Sequence, residues 1–191
     1  MKKILILAGP SAVGKTTVAD YILKTNTDFS LVRSATTRTK RGDGHDAEYI
    51  YLSKEEFCAR ILSGKMLEHT EYANEMYGTP ASEIEKIFDE GKIPLLILDL
   101  NGVRSLKGAA LGYGVFSVYL TSEESVLNER LYERARAEGL TKTALNKFER
   151  RKEQNRLDKE TVKSTPNLFD AVIENTTVEK TAEDIISKFL K

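Results

Sequence analysis

Short apolar runs alternate with amphipathic stretches along the chain, and this pattern predicts strands alternating with helices. The first run, Ile4 to Ala8, has the length of a strand that is buried on both faces. Ile93 to Leu98, Val115 to Leu120 and Phe169 to Glu174 are further candidates for buried strands. Buried strands separated by helices indicate an α/β fold in which helices flank a parallel sheet.

A different pattern occupies residues 34–80, where strand signals predominate. Glu48 to Leu52 alternates apolar and polar positions, and Met66 to Tyr72 is a second strand candidate. This segment is therefore predicted to be a small, strand-rich unit inserted into the parallel core.

Three helix starts are predicted from capping signals. Ser53 to Glu56 fits a capping box for a short helix that turns Phe57, Ile61 and Leu62 inward. Thr79-Pro80 offers an N-cap and a proline at the first helical position. Thr121 to Glu124 resembles another capping box, at the start of a highly charged helical region that reaches about Lys163.

The first apolar run leads directly into a G-x-x-x-x-G-K-T motif, which is typical of a phosphate-binding loop. Gly9 and Gly14 permit the backbone angles with which consecutive N–H groups point at phosphate oxygens. Lys15 supplies a positive charge, the Thr16 hydroxyl is a ligand type suited to Mg²⁺, and the helix beginning near Lys15 presents its positive end. The residues predicted to bind a nucleoside triphosphate are Gly9, Ser11, Ala12, Val13, Gly14, Lys15, Thr16 and Thr17.

Composition narrows the class of protein. The 191 residues carry 29 Lys and Arg against 29 Asp and Glu, so neither nucleic acid nor membrane is an expected partner. The single cysteine, Cys58, is expected to be a core thiol, and two distant histidines, His45 and His69, do not suggest a zinc site. Without an apolar run of about 18 residues, the protein is expected to be cytoplasmic.

Four residues of the inserted segment suggest a second phosphate site. Arg38, Arg41, Tyr49 and Tyr77 supply charged and phenolic donors on separate loops, and Arg geometry matches phosphate. Each residue taken singly is also compatible with an ordinary surface role. Glu68 lies in the same segment, where an exposed strand carboxylate is the alternative reading.

At this point the sequence resembles the guanylate kinase family, whose members use ATP to convert GMP to GDP. The resemblance implies an enzyme of purine nucleotide metabolism with the P-loop NTPase fold, Mg²⁺ as cofactor, and ATP and GMP as its small-molecule partners, as a monomer or a homodimer. The matching motifs lie in the family's order: Gly9 to Thr16, Ser34 to Gly42, Glu48-Tyr49, Leu67 to His69, Met76 to Thr79, Leu98 to Val103, and Arg130-Leu131 with Arg134.

The resemblance assigns roles in the acceptor site. It implies that Arg38, Arg41, Tyr49 and Tyr77 hold the GMP phosphate, and that Ser34, Glu68 and Thr79 recognise guanine. Asp99, at the end of a buried strand, resembles a family residue that binds Mg²⁺ through water or organises the acceptor. A structural acid at the end of a strand remains the alternative for Asp99.

The resemblance also implies a three-part organisation. Residues 1–33, 81–120 and 164–191 form the core, 34–80 the GMP-binding insertion, and 121–163 a helical lid. Lid arginines reach the transferred phosphoryl group in the family, and Asn175 matches a position near adenine. The implied catalytic residues are Lys15, Arg38, Asp99, Arg130, Arg134 and Arg151, with Arg150 as the alternative to Arg151. The charges expected only to solvate the helix surface are Arg136, Lys147 and Arg156.

The chain departs from the family pattern at several positions. Ala12 replaces a usual glycine, which is tolerable if that residue keeps ordinary dihedral angles. Ile97 stands where many members carry Asp, and Asn101 where Gln is common. The Gly-Arg-Gly turn expected after Arg130 is missing, and residues 132–137 favour continued helix instead.

Two other functions stay open beside guanylate kinase. One is a related kinase with a different acceptor, against which the guanine-reading set Ser34, Glu68 and Thr79 argues. The other is a non-catalytic guanylate-kinase-like binding module, against which the intact Gly14-Lys15-Thr16 argues. A switch GTPase would need a downstream N-K-x-D tetrapeptide, which does not occur.

Overall fold

The structure is a computed structural model that describes residues 2–40, 42, 46–72, 75–109 and 112–191, with Tyr72 described by its backbone alone. Strands and helices alternate along these ranges, as the hydrophobic pattern predicts. The strands are β1 Lys3–Ala8, β2 Phe29–Leu31, β3 Ser34–Thr36, β4 Tyr49–Tyr51, β5 Met66–Tyr72, β6 Glu75–Pro80, β7 Ile93–Ile97, β8 Gly114–Thr121 and β9 Ala171–Glu174. The α-helices are α1 Lys15–Thr25, α2 Lys54–Leu62, α3 Ala81–Asp89, α4 Leu100–Gly108, α5 Glu124–Ala137, α6 Lys142–Ser164 and α7 Val178–Phe189.

Two sheets organise the chain. Five strands form a parallel sheet in the order β2-β7-β1-β8-β9, which confirms the predicted α/β class with flanking helices. Within it, Ile4, Leu5, Ile6 and Leu7 of β1 are fully buried, as expected for a strand covered on both faces. The inserted segment folds as a separate four-stranded sheet, β4-β3-β6-β5.

The chain divides into two compact units. The first comprises Met1–Ile6 and Leu23–Val115 and contains the four-stranded sheet. The second comprises Leu7–Ile22 and Phe116–Lys191 and contains the G-x-x-x-x-G-K-T motif with α5, α6 and α7. The three-part division into core, insertion and lid is a functional one and stays a prediction.

The predicted helix caps are confirmed at one of three positions. Ser53 and Glu56 form a complete capping box at α2. Thr79, however, belongs to β6, so Pro80 takes the cap position of α3 without a side-chain bond. The second capping box is also wrong, because α5 starts two residues later than predicted, with Glu123 instead of Thr121 at the cap and no capping side chain.

Helix α2 turns one large residue inward. Phe57 is fully buried and Ile61 is partly buried, whereas Leu62 is 88% exposed and Cys58 is exposed, so the predicted inward Leu62 and core thiol are wrong. Residues one and five positions after Phe57 lie about 100° and 140° away around the helix, which places both outside the buried face.

The charged region after β8 forms two helices, α5 and α6. Residues 132–137 continue α5, as predicted from the missing Gly-Arg-Gly turn. The break follows at Gly139 and Leu140, which both adopt positive φ angles, and Thr141 then caps α6 by accepting a bond from the Ala144 N–H.

Candidate functional site

The phosphate loop between β1 and α1 has the backbone that its two glycines predict. Gly9 has a φ of 150° and Gly14 a φ of 98°. A Cβ atom on Gly9 would lie 2.6 Å from the Leu120 carbonyl oxygen, and one on Gly14 would lie 2.7 Å from Asn175 Nδ2. Neither position accepts a side chain without movement of its neighbours.

Ala12 does not keep ordinary dihedral angles. Its φ is 69°, which lies in the left-handed region that residues with a Cβ avoid. From the sequence, alanine is expected to be tolerated here only with ordinary dihedral angles. The observed angle shows that Ala12 is strained. The surrounding contacts must hold this part of the loop in place.

Three side chains from distant segments bind three consecutive carbonyl groups of the loop. Asn155 Nδ2 donates to the Ser11 oxygen at 3.2 Å. Arg130 Nη1 donates to the Ala12 oxygen at 3.2 Å, and Asn175 Nδ2 donates to the Val13 oxygen at 2.7 Å. Because the N–H that follows a carbonyl in a trans peptide points the opposite way, the Ala12 and Gly14 N–H groups face away from these donors. The loop is thereby arranged to receive an anion on its other side.

Lys15 lies at the start of α1 and bonds to the loop itself. Its Nζ donates to the Gly9 oxygen at 2.8 Å and to the Pro10 oxygen at 3.0 Å. Thr16 and Thr17 follow in the first helical turn, with Thr16 partly buried and Thr17 exposed. The ammonium group is held at the mouth of the loop, where a phosphate can replace the carbonyl oxygens as its partner.

Asn155 of α6 binds the phosphate loop and was not predicted from the sequence. In addition to the bond from Nδ2, its Oδ1 accepts from the Ser11 N–H at 2.7 Å. Asn155 lies 144 positions from Ser11, and no local motif indicates the contact. Asn175, which the family resemblance places near adenine, is buried, and its Oδ1 accepts a bond of 3.0 Å from the Thr181 hydroxyl.

The arginines that the family resemblance assigns to a lid, Arg130, Arg134 and Arg151, lie near one another. Partial burial lowers the pKa of Arg134, and the positive charges of Arg151 and Arg130 lower it further. Arg151 is partly buried while Arg150 is exposed, which favours Arg151 as the third member of this group. A cluster of like charges destabilises the protein alone and attracts an anion.

The surface cations named as solvating charges have acidic partners. Arg136 lies 3.6 Å from Glu133, and Lys147 lies 2.9 Å from Glu138. Arg156 pairs with Glu153 and Glu160 at 2.7 and 2.6 Å. These exposed pairs fit a role in solvating the helices.

In the first unit, the four-stranded sheet sets the spacing of the predicted acceptor residues. Ser34 of β3 pairs in register with Tyr49 of β4, and the next strand, β6, carries Tyr77 and Thr79. Across the β5–β6 pair, Thr79 is opposite Glu68. The sheet thus brings together five residues that are scattered between positions 34 and 79.

Arg38 is buried and stacks on aromatic rings. Its guanidinium carbon lies 4.4 Å from the Tyr49 ring centre and 5.5 Å from the Tyr51 ring centre. Burial raises the pKa of Tyr49, and the charge of Arg38 opposes that rise, so the phenol stays a donor. Arg41 lies outside the described residues.

Two residues near Arg38 were not predicted. Asp46 Oδ1 lies 3.7 Å from Arg38 Nη1, and Asp46 Oδ2 accepts from the Gly42 N–H at 2.9 Å. The Tyr51 hydroxyl also donates to Asp46. This carboxylate gives the arginine a nearby counter-charge within the protein.

Glu68 is buried, which overturns the alternative of an exposed strand carboxylate. It is 5% exposed, and its Oε1 accepts a hydrogen bond of 2.6 Å from the Thr79 hydroxyl. Burial raises the pKa of Glu68 to about 7, and the negative charge of Asp99 contributes to the rise. A buried carboxylate of this kind selects partners that offer hydrogen-bond donors.

Asp99 follows β7 and caps α4. Its Oδ1 accepts from the Gly102 N–H at 2.7 Å, which is the structural role expected of an acid at the end of a strand. The side chain is nevertheless exposed and so remains accessible to a ligand. A Cβ on Gly102 would lie 3.3 Å from Glu68 Oε2, so the glycine leaves room for the carboxylate.

Among the described residues, no cluster of three or more His, Cys, Asp or Glu side chains is placed to hold a metal ion. None of the described helices has the length and apolarity needed to cross a membrane.

Comparison with known proteins gives a consistent family. The model of the guanylate kinase family matches residues 1–191. A guanylate kinase of Clostridium perfringens (strain SM101) is 38% identical over 132 residues, which are 69% of this chain and 61% of that protein. The chain thus spans about three fifths of the length of this relative. A guanylate kinase of Prochlorococcus marinus subsp. pastoris is 33% identical over 97% of this chain and 96% of its own length. The crystal structure of guanylate kinase from Anaplasma phagocytophilum superimposes with a TM-score of 0.72 at 25% identity, covering 99% of this chain and 84% of that one.

Proposed function

Because the chain belongs to the guanylate kinase family, we propose that it transfers the γ-phosphoryl group of ATP to GMP, giving ADP and GDP. The observation that carries this proposal is the buried carboxylate of Glu68, bonded to Thr79 within the sheet that also carries Tyr77, with Arg38 just after strand β3 of that sheet. A fold with a phosphate loop can bind many different nucleotides. A buried carboxylate in the acceptor site restricts which base of the acceptor nucleotide can bind.

Guanine is the base whose edge matches Glu68. Its N1–H and 2-amino group both donate, and a carboxylate accepts both together. Adenine offers a lone pair at N1 and no 2-amino donor, so the carboxylate would be buried without a partner. A site built to bond a donor discriminates strongly against an analogue that lacks it. Ser34 and Thr79 complete the proposed base site.

The acceptor phosphate is proposed to bind Arg38, Arg41, Tyr49 and Tyr77. Arg38 is already oriented by its stacking on Tyr49, which limits the side-chain entropy lost when phosphate binds. The phosphate would take over the counter-charge role that Asp46 has toward Arg38.

The donor triphosphate is proposed to bind the loop from Gly9 to Thr17, with adenine near Asn175. No side chain needs to form a covalent bond to the phosphoryl group. Lys15 and the arginines at 130, 134 and 151 would neutralise charge that develops on the transferred group, and residues 121–163 would close as a lid that excludes water. Asp99 would help to organise the acceptor.

Mg²⁺ is the proposed cofactor, and the oxygen ligands available fit it. Thr16 and Asp99 would hold the ion, and the small number of protein ligands agrees with a metal that is bound largely through substrate phosphates. The ion would supply charge neutralisation at the phosphates. The cytoplasm, where ATP and Mg²⁺ are abundant, is the proposed location.

Product analysis tests the proposal. The protein is incubated with ATP, Mg²⁺ and GMP, and the nucleotides are separated by ion-exchange chromatography. We expect GDP and ADP to accumulate in equal amounts. ADP formed without GDP would indicate hydrolysis of ATP and would contradict the proposal.

A further inference from the structure

We infer that Asn155 is a positioning residue of the phosphate loop, which holds the loop in its anion-binding form before nucleotide arrives. The inference rests on the proposed function in one respect, that the loop binds the ATP triphosphate. It concerns a residue that no sequence motif indicates.

Asn155 uses both polar atoms of its amide on one backbone residue. Its Oδ1 accepts from the Ser11 N–H at 2.7 Å, while its Nδ2 donates to the Ser11 oxygen at 3.2 Å. Two bonds to the two sides of one residue fix the orientation of both of its peptide groups. A single bond would leave one of these groups free to rotate.

The fixed residue directly precedes the strained part of the loop. Ala12 has a φ of 69°, which costs about 1 kcal/mol for a residue with a Cβ and which an unrestrained loop would leave. Asn155 holds the chain just before Ala12, and Asn175 holds it just after, through the Val13 oxygen at 2.7 Å. Without the bonds from Asn155, the loop would have to be ordered when nucleotide binds. The entropy lost in that ordering would weaken nucleotide binding.

The same helix connects this restraint to the lid arginines. Asn155 and Arg151 are four residues apart on α6 and so lie on one face of the helix. Arg151 is close enough to Arg134 for its charge to lower the pKa of that residue. The α6 register that brings Asn155 to Ser11 therefore also brings Arg151 to the arginine cluster of the same unit.

Two variants and one matched control test the inference. Asn155→Ala removes both bonds. Asn155→Asp keeps the size of the side chain but cannot donate to the Ser11 oxygen. Gln154→Ala is the control, because the adjacent Gln154 is exposed and bonds only to Asp158 in the described structure, at 2.7 Å.

The first measurement needs no nucleotide. Amide hydrogen exchange of Ser11 is compared in the wild type and in the variants. We expect exchange about tenfold faster in Asn155→Ala, because the N–H loses its acceptor, and no change in Gln154→Ala.

The second measurement is the Kd of Mg-ATP, with the Kd of GMP as an internal reference. We expect the Kd of Mg-ATP to rise about tenfold in Asn155→Ala and at least as much in Asn155→Asp, whose carboxylate also repels the triphosphate. The Kd of GMP should stay within about twofold of the wild type. If Asn155 contributed only to the stability of the whole protein, its replacement would weaken the binding of Mg-ATP and of GMP together.

An unchanged Kd of Mg-ATP in both variants would overturn the inference, as would a parallel loss of GMP binding. If Asn155→Ala does not fold, Asn155→Asp decides. If the wild-type protein binds Mg-ATP but makes no GDP, the proposed function is contradicted. The role of Asn155 is then still tested by the Kd values of the variants. A wild-type protein that does not bind Mg-ATP would end both.

Discussion

The Thr79 hydroxyl donates a hydrogen bond of 2.6 Å to Glu68 Oε1 across the antiparallel pair β5–β6. This bond fixes the orientation of a buried carboxylate whose oxygens each have more than one lone pair with which to accept hydrogen bonds. It also accounts for the position of Thr79 in β6 instead of at the helix start that Thr79-Pro80 predicts.

Replacement of Glu68 by Gln should weaken the binding of GMP but not that of ATP. The amide presents a donor where guanine also presents donors, so we expect the KM for GMP to rise about 100-fold and the KM for ATP to stay close to the wild type. Steady-state kinetics with each substrate varied in turn measure this. Glu71→Gln is the control, because Glu71 is an exposed residue of the same strand. Equal losses for both substrates would argue against recognition of the base by Glu68.

GMP binding should weaken as pH falls through about 7. Burial raises the pKa of Glu68 to about 7 in the free protein, and only the ionised carboxylate accepts both donors of guanine. Isothermal titration of wild type and Glu68→Gln from about pH 8 to about pH 6 measures the effect. The difference between the two proteins removes the titration of the GMP phosphate, which both share. A difference that does not vary with pH would contradict the assignment.

The same pKa has a consequence for stability with the opposite pH direction. Between its ordinary value of 4.5 and about 7, Glu68 binds more protons in the folded than in the unfolded protein. Its contribution is therefore fully present below the unfolded value and is lost as pH rises through about 7. Urea unfolding should show that the stability of Glu68→Gln relative to the wild type increases over this interval. A constant difference would show that the folded pKa is not raised.

Replacement of Lys15 by Met should remove turnover while the fold and GMP affinity are retained. The ammonium group bonds to the Gly9 and Pro10 oxygens without nucleotide, and we expect kcat to fall at least about 100-fold when its charge is lost at the phosphates. The coupled ADP-release assay gives kcat, and titration gives the GMP affinity. Lys24→Met, at the exposed end of the same helix, should behave like the wild type. Turnover at the wild-type rate would remove Lys15 from the mechanism.

Replacement of Ala12 by Gly should stabilise the protein. Glycine adopts the φ of 69° without the Cβ strain, and we expect the free energy of unfolding to rise by about 1 kcal/mol. Ala137→Gly in α5 makes the same chemical change at a helical position, where we expect a loss of about 1 kcal/mol. Urea unfolding of the three proteins measures both changes. A loss in both variants would show that Ala12 is not strained.

The parts of the fold that depend on contiguous residues could be predicted from the sequence. The strand, loop and first helix follow from an apolar run joined to G-x-x-x-x-G-K-T, because the loop geometry is a property of that short segment. The face of α2 could not be predicted, because a helix of nine residues carries too few apolar positions to fix its buried side.

Contacts of the candidate site between residues far apart in the sequence could not be predicted from the sequence pattern. Asn155 reaches Ser11 across 144 positions, and nothing in the charged helix around it marks this residue. The left-handed angle of Ala12 likewise depends on side chains from α5, α6 and the segment after β9. Glu68 and the arginines at 130, 134 and 151 were assigned roles from the sequence because motifs of the family include them.

If the acceptor site recognises guanine, the protein should phosphorylate guanine nucleotides and no others. A coupled ADP-release assay with Mg-ATP and each of GMP, dGMP, AMP, CMP and UMP measures this. We expect turnover with GMP and with dGMP, whose base edge is the same, and rates for the other three nucleotides at least about 1,000-fold lower. Comparable rates with AMP would contradict this expectation.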